Sequence, residues 1–323
     1  MKILVTGAAG FVGYHSTLAL LDKGWEVIGI DNLNDYYDVN LKKGRLDILE
    51  KNNNFKFIHL DLSDKIEISN LFEREKFDKV LHLGAQAGVR YSIENPYAYI
   101  DSNIVGTLTI LEGCRNNGIK HLVYASSSSV YGANTKQPFS VDDRVDSPVS
   151  LYAATKKADE MMAYTYAHLY KISITGLRFF TVYGEFGRPD MAYFKFANAI
   201  MSGKPIDVYN FGDMERDFTY IGDIVSGILS IIEKGPVYNR EVSHSVYNLG
   251  NNKPEKLLDM ISILEEKLGI KAKKNFLPMQ PGDVYSTYAD INATQKDYGY
   301  EPRTSLEEGL EKFVLWYKSY YKQ

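Results

Sequence analysis

The segment ILVTGAAGFVG, residues 3–13, places an apolar strand directly before three glycines and the start of an amphipathic helix. Gly7, Gly10 and Gly13 let the backbone turn tightly and approach a pyrophosphate group, and the helix N-terminus offers unpaired N–H groups and partial positive charge. The spacing is G-x-x-G-x-x-G rather than the commoner G-x-G-x-x-G. This order of strand, glycines and helix predicts the nucleotide-binding end of an α/β fold.

A carboxylate ends the next apolar strand, VIGID, at Asp31. An acidic residue about 20 residues after the glycines accepts hydrogen bonds from the ribose hydroxyls of the adenosine half and repels a 2′-phosphate. The sequence therefore predicts NAD as the cofactor, whereas a polar loop start is the alternative reading of Asp31. Asp61 and Leu62, after the third strand, either border the adenine or form a turn.

Short apolar runs alternate with longer amphipathic stretches through the first half of the chain. The predicted strands cover 2–6, 26–30, 55–60, 79–83, 121–125 and 173–179, and the predicted helices cover 11–22, 66–76, 101–117 and 151–170. Alternation of this kind predicts a parallel sheet joined by right-handed crossovers, and strands that are apolar throughout indicate that both faces are covered. The expected fold class is α/β with a doubly wound parallel sheet.

The regular alternation of strands and helices ends at about residue 180, after which glycine and proline interrupt shorter strands. A helix at 222–233 and a strand at 246–250 are expected to return to the sheet, followed by helices near 254–268 and 305–320. We therefore predict a smaller, discontinuous α/β substrate domain. The nucleotide-binding domain would comprise 1–180 plus 222–250, and the substrate domain 181–221 plus 251–323.

Composition excludes several classes of function. The 323 residues are 45% apolar and 24% charged with a net charge of −4 and no basic stripe, so nucleic acid is a poor candidate partner. Cys114 is the only cysteine and the six histidines are scattered, so we expect no disulfide within the chain and no metal site. Met1 and Lys2 lead straight into a strand, and no apolar run approaches ~18 residues. We expect a cytoplasmic protein without a membrane segment.

A tyrosine and a lysine lie one helical turn apart in SLYAATKKADEMM, residues 150–162. Among 25 tyrosines only Tyr152 has lysine at the fourth following position, although chance would supply such pairs, so the position beside the predicted cofactor crevice decides the interpretation. Ionising a tyrosine at neutral pH costs about 4 kcal/mol. A lysine cation ~6 Å away supplies nearly 3 kcal/mol of this. A cationic nicotinamide and the helix N-terminus, where Ser150 is a suitable cap, can supply the rest, so Tyr152 is a candidate base.

Four consecutive serines follow a predicted buried strand in VYASSSSVYG, residues 123–132. A serine tract usually indicates a solvated linker, but this one ends a strand at the expected topological switch point. Small hydroxyl groups there can approach both nicotinamide and substrate without steric cost. Ser127 is therefore a candidate site residue.

The chain resembles the extended short-chain dehydrogenase/reductase superfamily and, within it, the sugar-nucleotide 4-epimerases. The resemblance covers essentially the whole chain and includes the three glycines, Asp31, the serine run, the Tyr152–Lys156 pair, RDFTY at 216–220 and PGDV at 281–284. It implies a Rossmann-type fold, a UDP-sugar substrate, and a homodimer formed through the helices at 101–117 and 151–170. Apolar residues that permit this dimer are Ile104, Leu108, Leu111, Met161 and Met162, although packing on the sheet also explains them.

The resemblance also implies roles for individual residues. Tyr152, Lys156 and Ser127 would be catalytic, with Ser127 bound to the 4-hydroxyl of the sugar. NAD would contact Gly7, Gly10, Phe11, Val12, Gly13, Asp31, Asn32, Asp61, Leu62, Leu83, Gly84, Ala85 and Lys156. The UDP-sugar would contact Arg90, Ser126, Ser127, Ser128, Tyr152, Thr181, Arg188, Lys195, Arg216, Asp283 and Thr287.

Among these, Arg216 suits a pyrophosphate because a guanidinium matches phosphate oxygens, Asp283 suits a ribose, and Lys195 suits a phosphate. A surface salt bridge is the alternative for each. Since epimerisation requires the 4-keto sugar to turn its other face, we expect a tight grip on UDP and a loose grip on the hexose.

The stretches HLGAQAGVRYSIENP (82–96) and RFFTVYGEFGRPDMA (178–192) most closely resemble UDP-glucuronate 4-epimerases. Donors for a C6 carboxylate would be Thr181, Arg188, Arg90 and Ser128, although Arg188 suits UDP equally well. The chain departs from the usual pattern at Gly84, Glu185-Phe186, Gly222 and Tyr285-Ser286. Thr287 falls where related epimerases vary residue size to admit or exclude an N-acetyl group.

The expected function is NAD-dependent 4-epimerisation of UDP-glucuronate to UDP-galacturonate through a transient 4-keto intermediate. Related dehydratases and decarboxylases carry acids near the catalytic hydroxyl, whereas positions 128 and 129 here are both serine. The alternatives are a UDP-glucose/UDP-galactose 4-epimerase, a UDP-glucuronate decarboxylase and, least favoured, a non-catalytic NAD-binding sensor.

Overall fold

The computed structural model describes residues 1–237, 242–280 and 285–322. Its strands are β1 (Lys2–Thr6), β2 (Glu26–Asp31), β3 (Phe55–His59), β4 (Lys79–His82), β5 (His121–Ser127), β6 (Ser173–Phe179), β7 (Thr181–Tyr183), β8 (Pro205–Val208), β9 (Glu215–Arg216), β10 (Phe218–Tyr220), β11 (His244–Leu249), β12 (Glu255–Lys256), β13 (Lys273–Phe276) and β14 (Ser286–Thr287). Its helices are α1 (Phe11–Asp22), α2 (Val39–Leu49), α3 (Lys65–Glu75), α4 (Tyr91–Glu94), α5 (Pro96–Tyr99), α6 (Gly106–Asn116), α7 (Leu151–Tyr170), α8 (Ala192–Met201), α9 (Ile221–Lys234), α10 (Leu257–Leu268), α11 (Asn292–Tyr298) and α12 (Leu306–Tyr321). A π-helical segment covers Ile100–Val105, and 3₁₀ turns cover Ser128–Tyr131 and Tyr209–Gly212.

Within the described residues, seven strands form one parallel sheet in the order β11-β6-β5-β4-β1-β2-β3. The chain adds β2 and β3 on one side of β1 and then returns to add β4 on the other side. A reversal of this kind opens a crevice at the carboxyl ends of the two central strands. Thr6 pairs with His82 at that end, so the loops after β1 and β4 lie side by side.

Both faces of the sheet are covered by helices, as the apolar strands require. Ile3 and Val5 contribute to the core on one face, and Leu4 contributes to the core on the other. Helix α1 packs against α9 on the first face, while α6 packs between α3 and α7 on the second. The predicted α/β class with a doubly wound parallel sheet is confirmed.

A second, smaller core lies beyond the carboxyl ends of the strands. Helices α8, α10 and α12 enclose large side chains such as Phe194, Met260, Leu264 and Phe313. The small sheets β8–β13, β7–β10 and β12–β9–β14 border it. These helices and small sheets form the second domain. The residue boundaries of the two domains stay predictions.

Helix α2 was not predicted, because its sequence carries little helical periodicity and a glycine at its centre. Arg45, which is fully buried, fixes this helix by donating from Nη1 to the Ala9 carbonyl at 2.7 Å and from Nη2 to the Phe186 carbonyl at 2.6 Å. A Cβ at Gly44 would lie 2.7 Å from the Tyr320 hydroxyl, so α2 and α12 approach closely there. Tertiary packing, rather than local pattern, therefore selects the helix.

The ends of two predicted elements also differ from the structure. Strand β5 continues to Ser127, two residues beyond the predicted end, so half of the serine run is strand. The predicted helix at 101–117 begins as a π-helical segment and becomes α-helical at Gly106, where a Cβ would lie 2.8 Å from Leu62 Cβ. Pairing of Ser126 and Ser127 with β6 extends the strand, whereas close packing against Leu62 accompanies the change at Gly106.

The second core contains a buried carboxylate whose protonation should change stability. The Glu265 side chain is 3% exposed and accepts hydrogen bonds from Lys274, from Lys271 Nζ at 3.1 Å and from the Ala272 N–H at 2.9 Å. Burial disfavours its charge, but these three donors outweigh burial and lower the pKa of Glu265 to about 2. The stabilisation is therefore complete above the ordinary glutamate pKa and is lost as pH falls toward the folded value.

We expect Glu265→Gln to lower the free energy of unfolding at neutral pH by about 2 kcal/mol, because hydrogen bonds to a charged group are lost. The difference from wild type should shrink at about pH 3, where the unfolded carboxyl is already protonated. Urea unfolding at the two pH values measures both effects. Glu266→Gln, whose side chain is 70% exposed, is the matched control. Equal stability losses in the two variants would contradict the expectation.

Candidate active site

A cavity of about 770 Å³ opens at the carboxyl ends of β1, β2, β4 and β5. It extends from the loop after β1 to the strands β9 and β14 of the second core. Its wall includes the predicted residues Gly7, Gly10, Phe11, Val12, Gly13, Asp31, Asn32, Asp61, Leu62, Leu83, Gly84, Ala85, Arg90, Ser126, Ser127, Ser128, Tyr152, Lys156, Thr181, Arg188, Lys195, Arg216 and Thr287. Asp283 lies outside the described residues.

The nucleotide end is a cradle of glycine backbone. Helix α1 begins after Gly10 without a side-chain cap, so its first N–H groups face the cavity. Gly7 has φ +70°, and a Cβ at Gly13 would lie 2.0 Å from the Gly7 carbonyl oxygen. Only glycine allows this approach, which leaves room and N–H donors for a pyrophosphate.

The glycine at position 84, a departure from the alanine usual in related epimerases, has a steric reason. A Cβ at Gly84 would lie 2.8 Å from Leu62 Cδ1 and 3.0 Å from Thr6 Oγ1. The Gly84 N–H donates to Thr6 Oγ1 at 2.9 Å, which holds the loop after β4 against β1. Glycine therefore lets Leu62 close the crevice from the side of β3.

Two carboxylates mark the adenosine end. Asp31 Oδ1 accepts from the Leu33 N–H at 2.9 Å, and burial raises the pKa of Asp31 although Lys42 nearby opposes this. Asp61 accepts from Asn32 Nδ2 at 2.7 Å and from the Ser63 N–H at 2.8 Å. Burial opposes ionisation of Asp61, but these hydrogen bonds prevail and lower its pKa. Asp61 thus forms a turn and lines the cavity, so the two readings of this residue are compatible.

We expect Asp31→Ala to weaken NAD binding by about tenfold or more, because a hydrogen-bonded charge is lost. Discrimination against NADP should relax, since the repelling carboxylate is gone while Lys42 remains at the cavity wall. Fluorescence titration with NADH and NADPH measures both. Asp35→Ala, an exposed residue of the same loop, is the control. Tighter binding of NADP than of NAD by the wild-type protein would overturn the assignment.

The chemical end is built on the first turns of α7. Ser150 caps this helix by accepting from the Ala153 N–H at 3.1 Å. The half-buried Tyr152 has its ring centroid 6.0 Å from that of Tyr99, edge to face. Lys156 is buried and donates from Nζ to the Ala125 carbonyl at 3.0 Å. Helix α7 thus directs a phenol and an ammonium group toward the end of β5.

The serine run divides between two roles. Ser127 Oγ accepts from the Ser129 N–H at 3.2 Å, donates to Ser129 Oγ at 3.1 Å and lines the cavity. Ser126 lines the cavity as well, but its hydroxyl donates to Glu160 Oε1 at 2.7 Å. Glu160 in turn binds Arg178 Nε at 2.8 Å in a buried ion pair. The Ser126 hydroxyl therefore donates to α7, which links β5 to this helix, and it does not donate to a ligand.

A partly buried ion pair forms the sugar side of the cavity. Arg188 donates from Nε to Asp190 Oδ1 at 3.0 Å and from Nη2 to Oδ2 at 2.5 Å. Tyr36 donates to the same Oδ2 at 3.1 Å. Burial disfavours the charge on Asp190, but Arg188 outweighs burial and lowers the pKa of this carboxyl. The guanidinium is therefore held in one orientation.

The far end of the cavity carries cations from separate elements. Arg216 and Thr287 are register partners in β9 and β14, and Arg216 Nη1 donates to the Tyr285 carbonyl at 3.1 Å. The Arg90 guanidinium lies over the Tyr209 ring, 5.3 Å from its centroid. Together with Lys195 of α8, these arginines suit a diphosphate chemically.

Sequence reasoning missed several residues of the wall, including Tyr36, Lys42, Gln86, Asp190 and Tyr209. An acid two positions after Arg188 was the available signal for Asp190. The others lie in loops or in the unpredicted α2, where no pattern marks them. Among the described residues, no group of His, Cys, Asp and Glu is arranged to hold a metal ion, and no helix has the length and apolarity needed to cross a membrane.

Comparison with known proteins shows the family to which the chain belongs. Residues 3–250 match the family described as NAD dependent epimerase/dehydratase. UDP-glucuronate 4-epimerase 2 of Arabidopsis thaliana is 50% identical over 100% of this chain and 77% of its own length. A UDP-glucuronic acid 4-epimerase from Bacillus cereus, solved with UDP-glucuronic acid and NAD, superposes with a TM-score of 0.92 at 37% identity, over 99% of this chain and 100% of that one.

A UDP-glucose 4-epimerase from Thermotoga maritima, solved with UDP-glucose, superposes with a TM-score of 0.89 at 29% identity, over 99% of this chain and 100% of that chain. The prediction of NAD as cofactor is confirmed by these findings. The roles of individual residues stay predictions. The chain belongs to the NAD dependent epimerase/dehydratase family.

Proposed function

We propose that this chain interconverts UDP-glucuronate and UDP-galacturonate by NAD-dependent 4-epimerisation through a transient 4-keto sugar. The observation that carries the proposal is one cavity in which the Tyr152–Lys156 pair and Ser127 share a wall with the fixed guanidinium of Arg188. Full-length relatives at about half identity are UDP-glucuronate 4-epimerases, which supports the same substrate.

The proton chemistry falls to residues of α7 and β5. The Tyr152 phenolate accepts the proton of the sugar 4-hydroxyl, and Ser127 holds that hydroxyl by a hydrogen bond. Lys156 stabilises the phenolate by its charge. When bound, NAD supplies the hydride acceptor, and afterwards the donor, at the nicotinamide. Tyr152 then returns the proton to the 4-oxygen of the inverted sugar.

Inversion requires that the 4-keto sugar present its opposite face before reduction. Arg216 and Lys195 hold the diphosphate, and they come from different elements at the far end of the cavity. Arg90, predicted above as a donor for the C6 carboxylate, lies over Tyr209 at this end, so we assign it to the diphosphate instead. Asp283, outside the described residues, is proposed as a ribose ligand. A ligand gripped at its diphosphate can rotate about the phosphate–sugar bonds while staying bound.

Substrate charge separates the two leading functions. Arg188, Thr181 and Ser128 line the sugar end and can donate to a C6 carboxylate, which UDP-glucose lacks. Ser128 and Ser129 leave that end without the extra acid that elimination or decarboxylation uses. The structure of the T. maritima UDP-glucose epimerase keeps the neutral sugar as the second candidate.

Incubation of the protein with UDP-glucuronate or UDP-glucose, followed by separation of the products, tests the proposal. We expect UDP-galacturonate from the first substrate and slow or no conversion of the second. Preferential conversion of the neutral sugar would show a UDP-glucose/UDP-galactose epimerase. Release of CO₂ with a UDP-pentose would show a decarboxylase.

We also infer a homodimer formed through the outer faces of α6 and α7. Leu108 and Met161 are exposed there, at 38% and 61%, which supports this face. Leu111 was expected to permit the dimer, but it is fully buried in the core beneath α6 and does not reach this face.

Sedimentation of Met161→Glu should show monomer where the wild-type protein shows dimer. Unchanged sedimentation would reject this face. A cytoplasmic location stays a prediction.

A further inference from the structure

A buried carboxylate lies directly behind the ammonium group of the active site. Asp159 is fully buried one helical turn after Lys156, and its Oδ2 lies 3.1 Å from Lys156 Nζ. It does not line the cavity, so it is placed to touch neither NAD nor sugar. The Ala125 carbonyl accepts a second hydrogen bond from the ammonium group, so one N–H of Lys156 is left to donate to a ligand. The reaction as described above gives Asp159 no part.

Within the part of the chain that the structure describes, Lys156 is the cation that acts directly on the Asp159 charge. His82 of β4 stays neutral, because burial lowers its pKa to about 3. Tyr124 of β5 stays neutral, because burial raises its pKa well above the ordinary value. On α6, the Thr107 hydroxyl lies 3.2 Å from His82 Nε2 and, by hydrogen bonding, also lowers the pKa of Asp159.

The other charged groups near Asp159 pair with one another, although the Glu160 charge still raises the pKa of Asp159. Glu160 follows Asp159 in sequence but pairs with Arg178 of β6 at 2.8 Å, and Lys157 Nζ lies 3.5 Å from its other oxygen. His244 of β11 contacts the Tyr124 hydroxyl at 3.1 Å. Asp159 Oδ1 has no hydrogen-bond partner among the described residues. Lys156, which contacts Oδ2, is therefore the cation that stabilises the Asp159 charge, and the Thr107 hydroxyl assists it.

We propose that Asp159 is a positioning residue that fixes the Lys156 ammonium and sets the pH at which Tyr152 becomes a phenolate. The inference rests on the proposed role of Tyr152 as proton acceptor. A lone ammonium stabilises a nearby phenolate as a full cation, whereas an ammonium paired with a carboxylate acts as a dipole with a weaker field. Pairing with Asp159 thus weakens the field of Lys156 at Tyr152 but fixes the position of the lysine.

The protonation of Asp159 itself supports this reading. Burial raises the pKa of Asp159 to about 6, although Lys156 opposes the shift. At lower pH the carboxyl is neutral and Lys156 acts as a full cation. At higher pH the carboxylate forms and weakens the field at Tyr152. The net charge of the pair therefore changes as pH passes the pKa of Asp159.

The test is Asp159→Asn, which keeps the shape and an oxygen acceptor for Lys156 but removes the charge. In NAD-loaded protein, the tyrosinate difference absorbance that disappears in Tyr152→Phe should titrate about one pH unit lower than in wild type. The acid limb of the kcat profile with UDP-glucuronate should move in the same direction. Asp159→Glu keeps the charge and should keep a profile near that of wild type.

Two controls make the result decisive. Glu112→Gln removes an exposed carboxylate from α6 and should shift neither readout. Asp159→Ala gives the same charge change if the Asn variant does not fold. Because the absorbance titration needs no substrate, it tests Asp159 even if UDP-glucuronate is not converted. An activity loss at all pH values with an unmoved titration would show a purely structural Asp159 and overturn the proposal.

Discussion

Tyr152→Phe should lower kcat for UDP-glucuronate by at least about a thousandfold, because general acid–base catalysis contributes 10²–10⁴. The phenyl ring keeps the edge-to-face contact with Tyr99, and the Ser150 cap of α7 is untouched, so the fold should remain. The lost group is the oxygen that would take the 4-hydroxyl proton. Turnover measured by product separation, together with the NAD content of the purified variant, checks both parts.

Bound NAD should be retained by this variant, because the glycine cradle and Asp31 lie at the other end of the cavity. Tyr164→Phe removes a hydroxyl from an exposed tyrosine of the same helix and should leave kcat near that of wild type. If Tyr152→Phe keeps activity within about tenfold of wild type, a difference of only about 1.4 kcal/mol, Tyr152 is not the base.

Arg188→Met should lower the affinity for UDP-glucuronate by about a hundredfold, which corresponds to the loss of a charge-assisted hydrogen bond in a dry site. The affinity for UDP-glucose should fall much less, because that sugar has no carboxylate for the guanidinium to hold. Calorimetric titration of the NAD-loaded protein with each UDP-sugar measures the two affinities.

The partner of Arg188 needs its own control. Removal of the guanidinium leaves the partly buried Asp190 without its cation, and this carboxylate would then repel the substrate carboxylate. The double variant Arg188→Met/Asp190→Asn removes that repulsion and should keep the selective loss for UDP-glucuronate. Equal losses for both sugars would mean that Arg188 binds UDP instead, the alternative that its sequence motif left open.

The nucleotide end could be predicted from sequence because its geometry is local. Gly7, Gly10 and Gly13 follow a strand within a few residues, and Asp31 ends the next strand, so spacing alone places them together. Tyr152 and Lys156 share one helix face for the same reason. Thr287 and Arg216 are far apart in sequence, and resemblance to known epimerases, rather than spacing, brought them into the same predicted site.

Residues that act through long-range contacts could not be predicted. The hydroxyl of Tyr36 donates to Asp190, 154 positions away in sequence, and no local sequence pattern at either residue indicates the contact. Helix α2 depends on the buried Arg45 and on close packing against α12, so its local pattern is weak. Ser126 was predicted with its serine neighbours to contact the substrate, but its hydroxyl donates a hydrogen bond to Glu160, which is distant in sequence.

In the proposed reaction, the hydrogen taken from C4 of the sugar returns to the same carbon on the opposite face. UDP-glucuronate carrying deuterium at C4, incubated with the protein in ordinary water, tests it by mass spectrometry and NMR of the product. We expect UDP-galacturonate that retains the deuterium at C4. Exchange of the deuterium with water during epimerisation, or a pentose product with CO₂, would contradict it.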